Sequence, residues 1–329
     1  MSDEVIHCGV CHSLIDEEDL FCANCGTEAP HVAGQDEAAR PAACTMRLAT
    51  HNFQCCGCGA SMSYDAGAGS LRCPFCGSVE LDRQRDARVL SPRRVVPFRI
   101  GREAATAAMR QWLGHGFFRP GDLARQAAIV EMTPVYVPCW VFRAQTHTYW
   151  TADTSRTPPG ARSAWYPMAG EHRGGHGDLL IGASGVLAPA ETAAICPFDL
   201  AEGVPPEEVD LDRVTVEQFS VPRKYARPLA RRGIEQREAA EVAARYVPGR
   251  ARNVRVNVRI EHMASEPVLL PVWTMAYRYE GQVYRFLLNG QTGKPTGEAP
   301  TSMRKVLGVV AAVVLGVLVM FLLALGLLR

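Results

Sequence analysis

The stretch VYVPCWVF, residues 135–142, decides the fold, because the chain returns to the same pattern in VLLPVWTM, residues 268–275. Each segment is an apolar run with a proline two residues before a tryptophan, and each continues past the tryptophan as a predicted strand. We interpret the two as equivalent strands in the halves of a weak internal repeat. Because proline has no N–H to donate, its position ahead of each tryptophan predicts a strand start or an edge position.

The sequence around these segments predicts an α+β domain over residues 95–300, built on an antiparallel sheet. Residues 254–260 alternate apolar and polar side chains, as a strand with one wet face does. Residues 283–288 predict another strand, which ends at the hairpin signal Asn289-Gly290. The predicted helices lie at about 102–113, 120–130, 206–219 and 229–246, and a long glycine-rich loop or hairpin tip is predicted at 151–178.

The stretch VLGVVAAVVLGVLVMFLLALGLL, residues 306–328, has no charged, amide or hydroxyl side chain and no proline. As a helix it would be about 35 Å long, slightly more than the ~30 Å of a bilayer core. We expect a transmembrane helix, preceded by a basic juxtamembrane segment at 301–305. Because no signal-peptide pattern precedes it, we expect a single-pass protein tail-anchored in the cytoplasmic (inner) membrane, with its N-terminus in the cytoplasm. The alternative is a buried core helix.

Three small residues, Gly308, Ala312 and Gly316, recur every four positions in this segment and share one face. Such residues let two helices approach closely, so a homodimer or a partner helix is one interpretation. The other is that glycine and alanine are simply common in membrane helices.

The chain has twelve cysteines, and in a reducing cytoplasm they indicate metal thiolates rather than disulfides. Eight of them form CxxC pairs, which predict two structural Zn²⁺ sites with four thiolates each and no open position for water. The first zinc ribbon, residues 1–29, has the ligands Cys8, Cys11, Cys22 and Cys25, and the second, residues 51–82, has Cys55, Cys58, Cys73 and Cys76. Residues 30–50 and 83–94 are predicted linkers.

Some details of this assignment have alternatives. His7 and His12 flank the first cysteine pair and could replace a thiolate. Cys56 lies beside Cys55, but a ligand at position 56 would break the spacing of the other turns, so we assign Cys55. The cysteines left for packing are Cys44, Cys139 and Cys196.

No catalytic residue is predicted, and we expect a protein that is not an enzyme. The segment GQTGKPT, residues 290–296, fails as a phosphate-binding loop because Leu288 stands where the first glycine should be and no helix follows. His172 and His176 have a spacing that suits a metal on a helix, but the two glycines between them favour a solvated loop. A metal-dependent hydrolase using these histidines is the remaining enzymatic alternative.

Charge is distributed unevenly along the chain. The first 39 residues hold nine carboxylates and no Lys or Arg, whereas residues 223–259 hold eleven basic residues against three glutamates. The acidic first ribbon would repel nucleic acid, and the second ribbon is balanced in charge, so protein binding is the better expectation for both. The basic run is either a solvated face, a contact with anionic lipid, or, less favoured, a nucleic-acid contact.

Several of these features together resemble a bacterial family of tail-anchored double zinc-ribbon (TFIIB-type zinc ribbon) membrane proteins. The matching stretches are the knuckles CCGCG (55–59) and CPFCG (73–77), the strands VYVPCW (135–140) and LPVW (270–273), and NGQTGK (289–294). Members are often labelled primosomal replication factor Y-like, but this sequence lacks the helicase motifs. The resemblance implies partnership with phage-shock or flotillin-like (SPFH) membrane-stress proteins, and hence an adaptor role.

We therefore expect a non-enzymatic, zinc-binding, tail-anchored adaptor that recruits proteins at the cytoplasmic face of a membrane. The alternative is a membrane-tethered nucleic-acid-binding accessory factor of replication or transcription. Its affinity would fall steeply with salt, because phosphate contacts release counterions.

Overall fold

The computed structural model describes residues 6–10, 12, 14–15, 46–49, 52–64, 72–84 and 87–327. In the last helix the side chains are described only as far as Met320, with gaps at 318 and 319. The statements below refer to this part of the chain.

The described elements follow one another from a ribbon region into a larger α+β region. The strands are β1 (Ile6–His7), β2 (Leu14–Ile15), β3 (Met46–Ala49), β4 (Asn52–Cys55), β5 (Ser61–Ser63), β6 (Leu81–Gln84), β7 (Ala87–Leu90), β8 (Arg94–Val95), β9 (Ala128–Thr154), β10 (Tyr166–Gly182), β11 (Thr215–Glu217), β12 (Ala251–Tyr279), β13 (Gln282–Asn289) and β14 (Pro295–Gly297). The helices are α1 (Arg102–Gly114), α2 (Leu123–Gln126), α3 (Pro189–Ile195), α4 (Arg223–Glu241) and α5 (Met303–Leu327), and a π-helical turn (Val242–Tyr246) continues α4.

A mixed sheet of ten strands organises the fold. Its order is β14-β13-β12-β9-β11-β5-β4-β6, with β10 also paired to β9 and β8 to β12. The long strands β9 and β12, 27 and 29 residues, are antiparallel neighbours at its centre. The prediction of an antiparallel sheet was incomplete, because β8 pairs with β12 and β11 with β9 in parallel. Both short strands reach the sheet through crossovers rather than hairpins, which permits parallel pairing.

The two prolines of the repeat lie inside the long strands, not at strand starts or sheet edges as predicted. The Pro138 carbonyl accepts a hydrogen bond from Ala183 N, and the Pro271 carbonyl accepts one from Gly290 N. In an extended strand the N–H and C=O of one residue point to the same side. On that side the neighbour of β9 changes from β11 to β10, and the neighbour of β12 changes from β8 to β13. Each proline therefore occupies a junction where no ladder donor is needed.

The surroundings of the two tryptophans repeat as the sequence pattern predicted. Trp140 Nε1 donates to the Val221 carbonyl at 2.9 Å, and Trp273 Nε1 donates to the Ile100 carbonyl at 2.7 Å. Each acceptor lies between a short parallel strand and a helix, α4 in one case and α1 in the other. The halves are thus β8-α1-β9-β10 and β11-α4-β12-β13, and the short strand of each half pairs with the long strand of the other.

Both large helices cover the sheet through side chains spaced four residues apart, which share one helix face. The predicted helix at 102–113 is confirmed as α1, and the one at 229–246 is confirmed as α4 with its π turn, starting six residues earlier. The buried apolar residues are Ala105, Met109 and Leu113 in α1, and Ala226, Ala230 and Ile234 in α4.

Three predicted segments have a different structure. The helix predicted at 120–130 is limited to the four residues of α2, because β9 already begins at Ala128. The helix predicted at 206–219 is two 3-10 turns followed by β11. The segment 151–178, predicted as a long loop or hairpin tip, contains the tip of the β9–β10 hairpin, but most of it is strand, because the backbone of β10 is paired with β9 from Tyr166 onwards. In each case long-range strand pairing overrides local propensity.

The second ribbon is part of the large sheet. Its strands β4, β5 and β6 pair with one another, and β5 pairs antiparallel with β11 through Ser63 opposite Val216 and Met62 opposite Glu217. Strands β3 and β7, which fall in the two predicted linkers, pair with each other. The ribbon is therefore docked on the domain rather than attached only by linkers.

The C-terminal segment forms the predicted helix, α5. None of its described side chains from Val306 to Val317 is buried, in contrast to the alternative of a core helix. The large apolar side chains that are more than half exposed are Leu307, Val310, Val313, Val314, Leu315, Val317 and Met320. Over the described residues alone, no helix combines the length and the apolar character that crossing a membrane requires. The membrane span at 306–328 stays a prediction.

Candidate metal centre and neighbouring polar clusters

Two CxxC turns form the end of the second ribbon at which a metal is predicted. Gly59 N donates to the Cys55 carbonyl and Gly77 N to the Cys73 carbonyl, each at 2.8 Å. Both glycines have a positive φ, 77° and 76°, which other residues adopt only with strain. The glycine after each cysteine pair is thus required by the turn, as the sequence predicted.

The four predicted ligands of this ribbon come together. The Sγ atoms of Cys55, Cys58, Cys73 and Cys76 all lie within 4.8 Å of one another. Cys55 Sγ is 3.5 Å from Cys76 Sγ, and Cys58 Sγ is 3.6 Å from Cys73 Sγ. These distances are far longer than the ~2.05 Å of a disulfide, but close to the ~3.8 Å between thiolates around a tetrahedral Zn²⁺ with Zn–S bonds of about 2.3 Å. Among the described residues, no other group of three potential ligands is as close together.

The chemistry of the thiols also fits a cation. Burial raises the pKa of Cys58 to about 11 and raises the pKa of Cys73 further. For Cys55, burial is outweighed by hydrogen bonds from the backbone at Cys58 and from the Cys76 side chain, which lower its pKa to about 7. A bound metal would replace the thiol protons and compensate the buried negative charge, so metal binding and ribbon folding should be coupled.

The core of the ribbon is continuous with the core of the domain. Cys55, Met62 and Cys73 are buried in one cluster together with Val137 and Cys139 of the long strand β9. The apolar side chains of the second ribbon thus pack against the sheet, which supports the ribbon in addition to any bound metal.

The ambiguous cysteines have distinct environments. Cys55 is buried and belongs to the cluster, whereas Cys56 is exposed, in agreement with the assignment of Cys55 as ligand. Cys139 is completely buried in the core, and Cys196 is partly buried beside it, which fits the predicted packing role.

Most of the first ribbon lies outside the described residues, including its predicted ligands Cys11, Cys22 and Cys25. Cys8 is described: it is buried, and its Sγ accepts a hydrogen bond from Val10 N at 3.4 Å. A backbone N–H donated to sulfur is typical of a CxxC turn. The second zinc site stays a prediction.

His172 and His176 do not lie in a solvated loop as predicted. They are on strand β10, four residues apart and therefore on the same face, and both are buried beneath α4. Their Nε2 atoms lie 2.6 Å and 2.7 Å from the two carboxylate oxygens of Glu238. Thr146 Oγ1 donates to the same carboxylate at 2.5 Å.

The carboxylate of Glu238 is completely buried but well satisfied. Burial would raise its pKa, but hydrogen bonds from Thr146, His176 and His172 lower it. Gly174 makes room for this contact, since a Cβ there would stand 2.8 Å from Glu238 Oε1. Sequence reasoning missed Glu238, although it follows Ala226, Ala230 and Ile234 at the same spacing of four and so falls on the buried face of α4.

An open groove of about 410 Å³ adjoins this cluster. The residues lining it are Arg143, Ala144, Gln145, Gly175, His176, Gly177, His262 and Ala264. None of them is a Ser, Thr, Cys, Asp or Glu, so the groove offers no ordinary nucleophile or carboxylate base. Among the described residues, only the four cysteines bring three or more potential ligand atoms within 4.8 Å of one another. The metal-hydrolase alternative therefore gains no support.

The NGQTGK segment is a structural turn between β13 and β14. The buried Asn289 amide Nδ2 donates to the carbonyls of Ile195 and Pro197, and its Oδ1 accepts from the backbone N–H groups of Gln291 and Thr292. All these bonds are between 2.8 and 2.9 Å. One asparagine thus fixes the turn and ties it to the end of α3, which explains the motif without a phosphate ligand.

A second buried carboxyl, Glu217, lies where the ribbon meets the domain. Its Oε1 accepts from Ser184 Oγ at 2.7 Å and Gly185 N at 2.9 Å, while its Oε2 is buried with no hydrogen-bond partner among the described residues. Burial raises the pKa of Glu217 to about 7. The carboxyl is therefore poorly satisfied when ionised.

Part of the basic run is neutralised on the surface of α4. Arg231 pairs with Glu235 and Arg245 with Glu241, each across one helical turn. Arg237 donates to the Gly177 carbonyl. These contacts fit the solvated-face interpretation for this part of the run.

Comparison with known proteins gives one distant relative. No protein-family model and no solved structure matches the chain. The chain is similar to the uncharacterized protein YdjG of Bacillus subtilis (strain 168), with 25% identity over 314 residues that cover 78% of this chain and 92% of that protein. The chain is thus a distant homologue of YdjG, its described residues include a four-cysteine cluster that could bind a metal, and no family is assigned.

Proposed function

We propose that the chain is a zinc-stabilised, non-enzymatic adaptor that displays its ribbons at the cytoplasmic face of a membrane and recruits proteins there. The observation that carries the proposal is the closed four-cysteine cluster, Cys55, Cys58, Cys73 and Cys76. Four thiolates fill a tetrahedral Zn²⁺ and leave no position for a reacting water. The metal would then hold a shape rather than perform a reaction.

The docking of the second ribbon supports an adaptor over a loosely tethered module. Because β5 extends the sheet through β11 and the two cores are continuous, the ribbon and the domain have one fixed geometry. A fixed composite surface binds a partner with less loss of conformational freedom than two independent modules would.

The membrane location rests on the uncharged residues 306–328 and on the exposure of the described part of α5. A helix that the domain leaves uncovered needs another apolar environment, and lipid or a partner helix can supply it. We propose a single-pass anchor, with Gly308, Ala312 and Gly316 as the face available for close helix pairing.

The partner is proposed to be a protein of the membrane-stress type, phage-shock or flotillin-like. The acidic first ribbon, with nine carboxylates and no Lys or Arg in the first 39 residues, favours a basic protein surface over nucleic acid.

Affinity capture from detergent-solubilised membranes tests the proposal. The full chain should recover a stoichiometric protein partner, and the Cys73→Ser variant should lose it because a zinc ligand is missing. Cys56→Ser is the matched control, since Cys56 is exposed and outside the cluster. Recovery of no protein partner, or of nucleic acid released steeply by salt, would contradict the adaptor function.

A further inference from the structure

The loop between α1 and α2, residues 115–122, presents two adjacent phenylalanines to solvent. Phe117 is 71% exposed and Phe118 is 46% exposed. Their rings pack edge to face with centroids 5.2 Å apart, so together they form a compact apolar projection. Exposed apolar residues are ordinary when single, but a contiguous aromatic pair at a loop tip marks a contact surface.

The loop is braced from below. The Arg119 guanidinium lies over the Trp112 ring, 3.7 Å from its centroid, and Arg119 Nη1 donates to the Trp112 carbonyl. Gly116 has a φ of 131°, a conformation that favours glycine. The two phenylalanines are therefore presented on a supported turn at the end of α1.

This loop lies at the base of α5. Ser302 N donates to the Phe118 carbonyl at 2.7 Å, and Lys305 Nζ donates to the Arg119 carbonyl at 2.8 Å. On the first turns of α5, Met303 is 67% exposed and Leu307 62% exposed. The uncharged stretch 306–328 begins one residue after this contact, so the exposed pair and the base of the helix belong to one region of the surface.

The charges around the pair complement an anionic leaflet. The loop contributes Arg119 and the start of α5 contributes Arg304 and Lys305, against a single carboxylate in these two segments, Asp122, which accepts a hydrogen bond from the Tyr279 hydroxyl. Cations close to an anionic membrane surface are attracted to it. Aromatic rings prefer the headgroup level of a bilayer, where apolar and polar surroundings meet.

We propose that Phe117 and Phe118 insert into the lipid headgroup region as a second membrane contact beside the helix. A single helix leaves a domain free to tilt and rotate on its anchor, whereas a second contact fixes which face of the sheet is turned to the cytoplasm. The inference rests on the proposed membrane anchor, and it adds the orientation in which the adaptor presents its ribbon.

Photo-crosslinking in vesicles tests this contact. The full chain is reconstituted in phosphatidylcholine–phosphatidylglycerol vesicles with Phe117 replaced by benzoylphenylalanine. In a matched control the same replacement is made at Tyr225, an aromatic residue that is 62% exposed on α4. After illumination, lipid adducts are measured by mass spectrometry, and flotation of the same samples measures membrane association.

The expected result is flotation of both variants, with about tenfold more lipid adduct at position 117 than at 225, because only an interfacial side chain reaches acyl chains. Flotation with equal adduct at the two positions, or an adduct from 117 to a second protein chain, would overturn the phenylalanine contact and leave the anchor intact. Absence of flotation would overturn the anchor and the contact together.

Discussion

The two halves of the sheet hold their helices by different chemistry in the same architecture. Every buried residue of α1 is apolar. These residues pack in one cluster with Met275, Tyr277 and Phe286 of the sheet. The buried residues of α4 begin in the same way but end with Glu238, which meets a row of polar side chains. The comparison shows that a helix can pack on this sheet through a polar side chain as well as through apolar ones, provided that the buried polar atoms are hydrogen-bonded. Each oxygen of the Glu238 carboxylate receives a donor.

The short strands of the halves differ as well. On the side away from the long strand, β11 pairs with β5 of the ribbon. On the corresponding side of β8 there is only an isolated bridge between Val95 and Val204. The second half is therefore the one expected to respond to metal, and it also contains the three glutamates that are buried among the described residues, Glu217, Glu238 and Glu266. Five measurements test how far the halves differ.

Metal removal should have the largest effect, and it should fall on one half. Structural zinc contributes about 10–16 kcal/mol in small zinc modules, so chelation should unfold the ribbon. Hydrogen exchange should then show loss of protection at β5 and β11, whereas β8 and the central β9–β12 pairing stay protected. Equal loss in both short strands, or no change in either, would contradict the proposed role of the cluster.

Glu238→Ala should destabilise the protein by about 3–5 kcal/mol, because it leaves buried partners of the carboxylate unsatisfied. Urea unfolding of the full chain measures the effect. Glu235→Ala, on the outer side of the same helix and paired with Arg231, is the control and should change stability by about 0–1 kcal/mol. A small effect at position 238 would mean that the polar row does not hold α4.

The pH dependence of this contact has a definite sign. Since the folded-state pKa of Glu238 is lowered, its contribution is present above its ordinary pKa of 4.5 and is lost as pH falls through the folded value. Acid titration should therefore destabilise the wild type more than Glu238→Ala. Parallel acid curves for the two proteins would contradict this assignment.

Glu217→Gln should act in the opposite direction. The pKa of Glu217 rises from 4.5 to about 7, so ionisation of this buried group makes the folded state less stable as pH rises through that range. The variant should be more stable than the wild type by about 1–3 kcal/mol at pH 8, with little difference at pH 4. Urea midpoints at both pH values measure this, and a variant less stable at pH 8 would refute it.

The smallest effects are expected where the halves agree. Trp140→Phe and Trp273→Phe each remove one hydrogen bond to a backbone carbonyl and some packing, and each should cost about 1–2 kcal/mol. If the two tryptophans contribute equally to stability, as their equivalent geometry suggests, the two losses of unfolding free energy should match within about 0.5 kcal/mol. A large difference would indicate that only one of the two equivalent bonds stabilises the fold.

Local patterns predicted the elements that depend on neighbours in sequence. The CxxC turns followed from cysteine spacing and the glycines after them, α1 from its apolar spacing, and the Asn289 turn from its dipeptide. The repeat was visible because both halves keep a proline and a tryptophan at one offset. The turns and the helix can be predicted from local sequence because their hydrogen bonds join residues that are only a few positions apart.

Strand β10 and Glu238 were not predicted, for a common reason. Residues 166–182 are rich in glycine and polar side chains, and they form a strand because β9 supplies backbone partners. The roles of Gly174 and His176 depend on their contact with Glu238, which lies 62 residues beyond His176 in the sequence. No window of sequence contains both partners.

By itself the sequence determined the four-cysteine cluster that could bind a metal, the paired Pro-x-Trp strands and the uncharged terminal helix, since residue type and spacing suffice for each. Only the tertiary structure decided that the ribbon joins the large sheet, that two strands pair in parallel, that the histidines are buried on a glutamate and that two phenylalanines stand beside the terminal helix. The physical reason is that these features depend on contacts between segments that are distant in sequence. Such contacts stabilise the protein only after folding has brought the segments together.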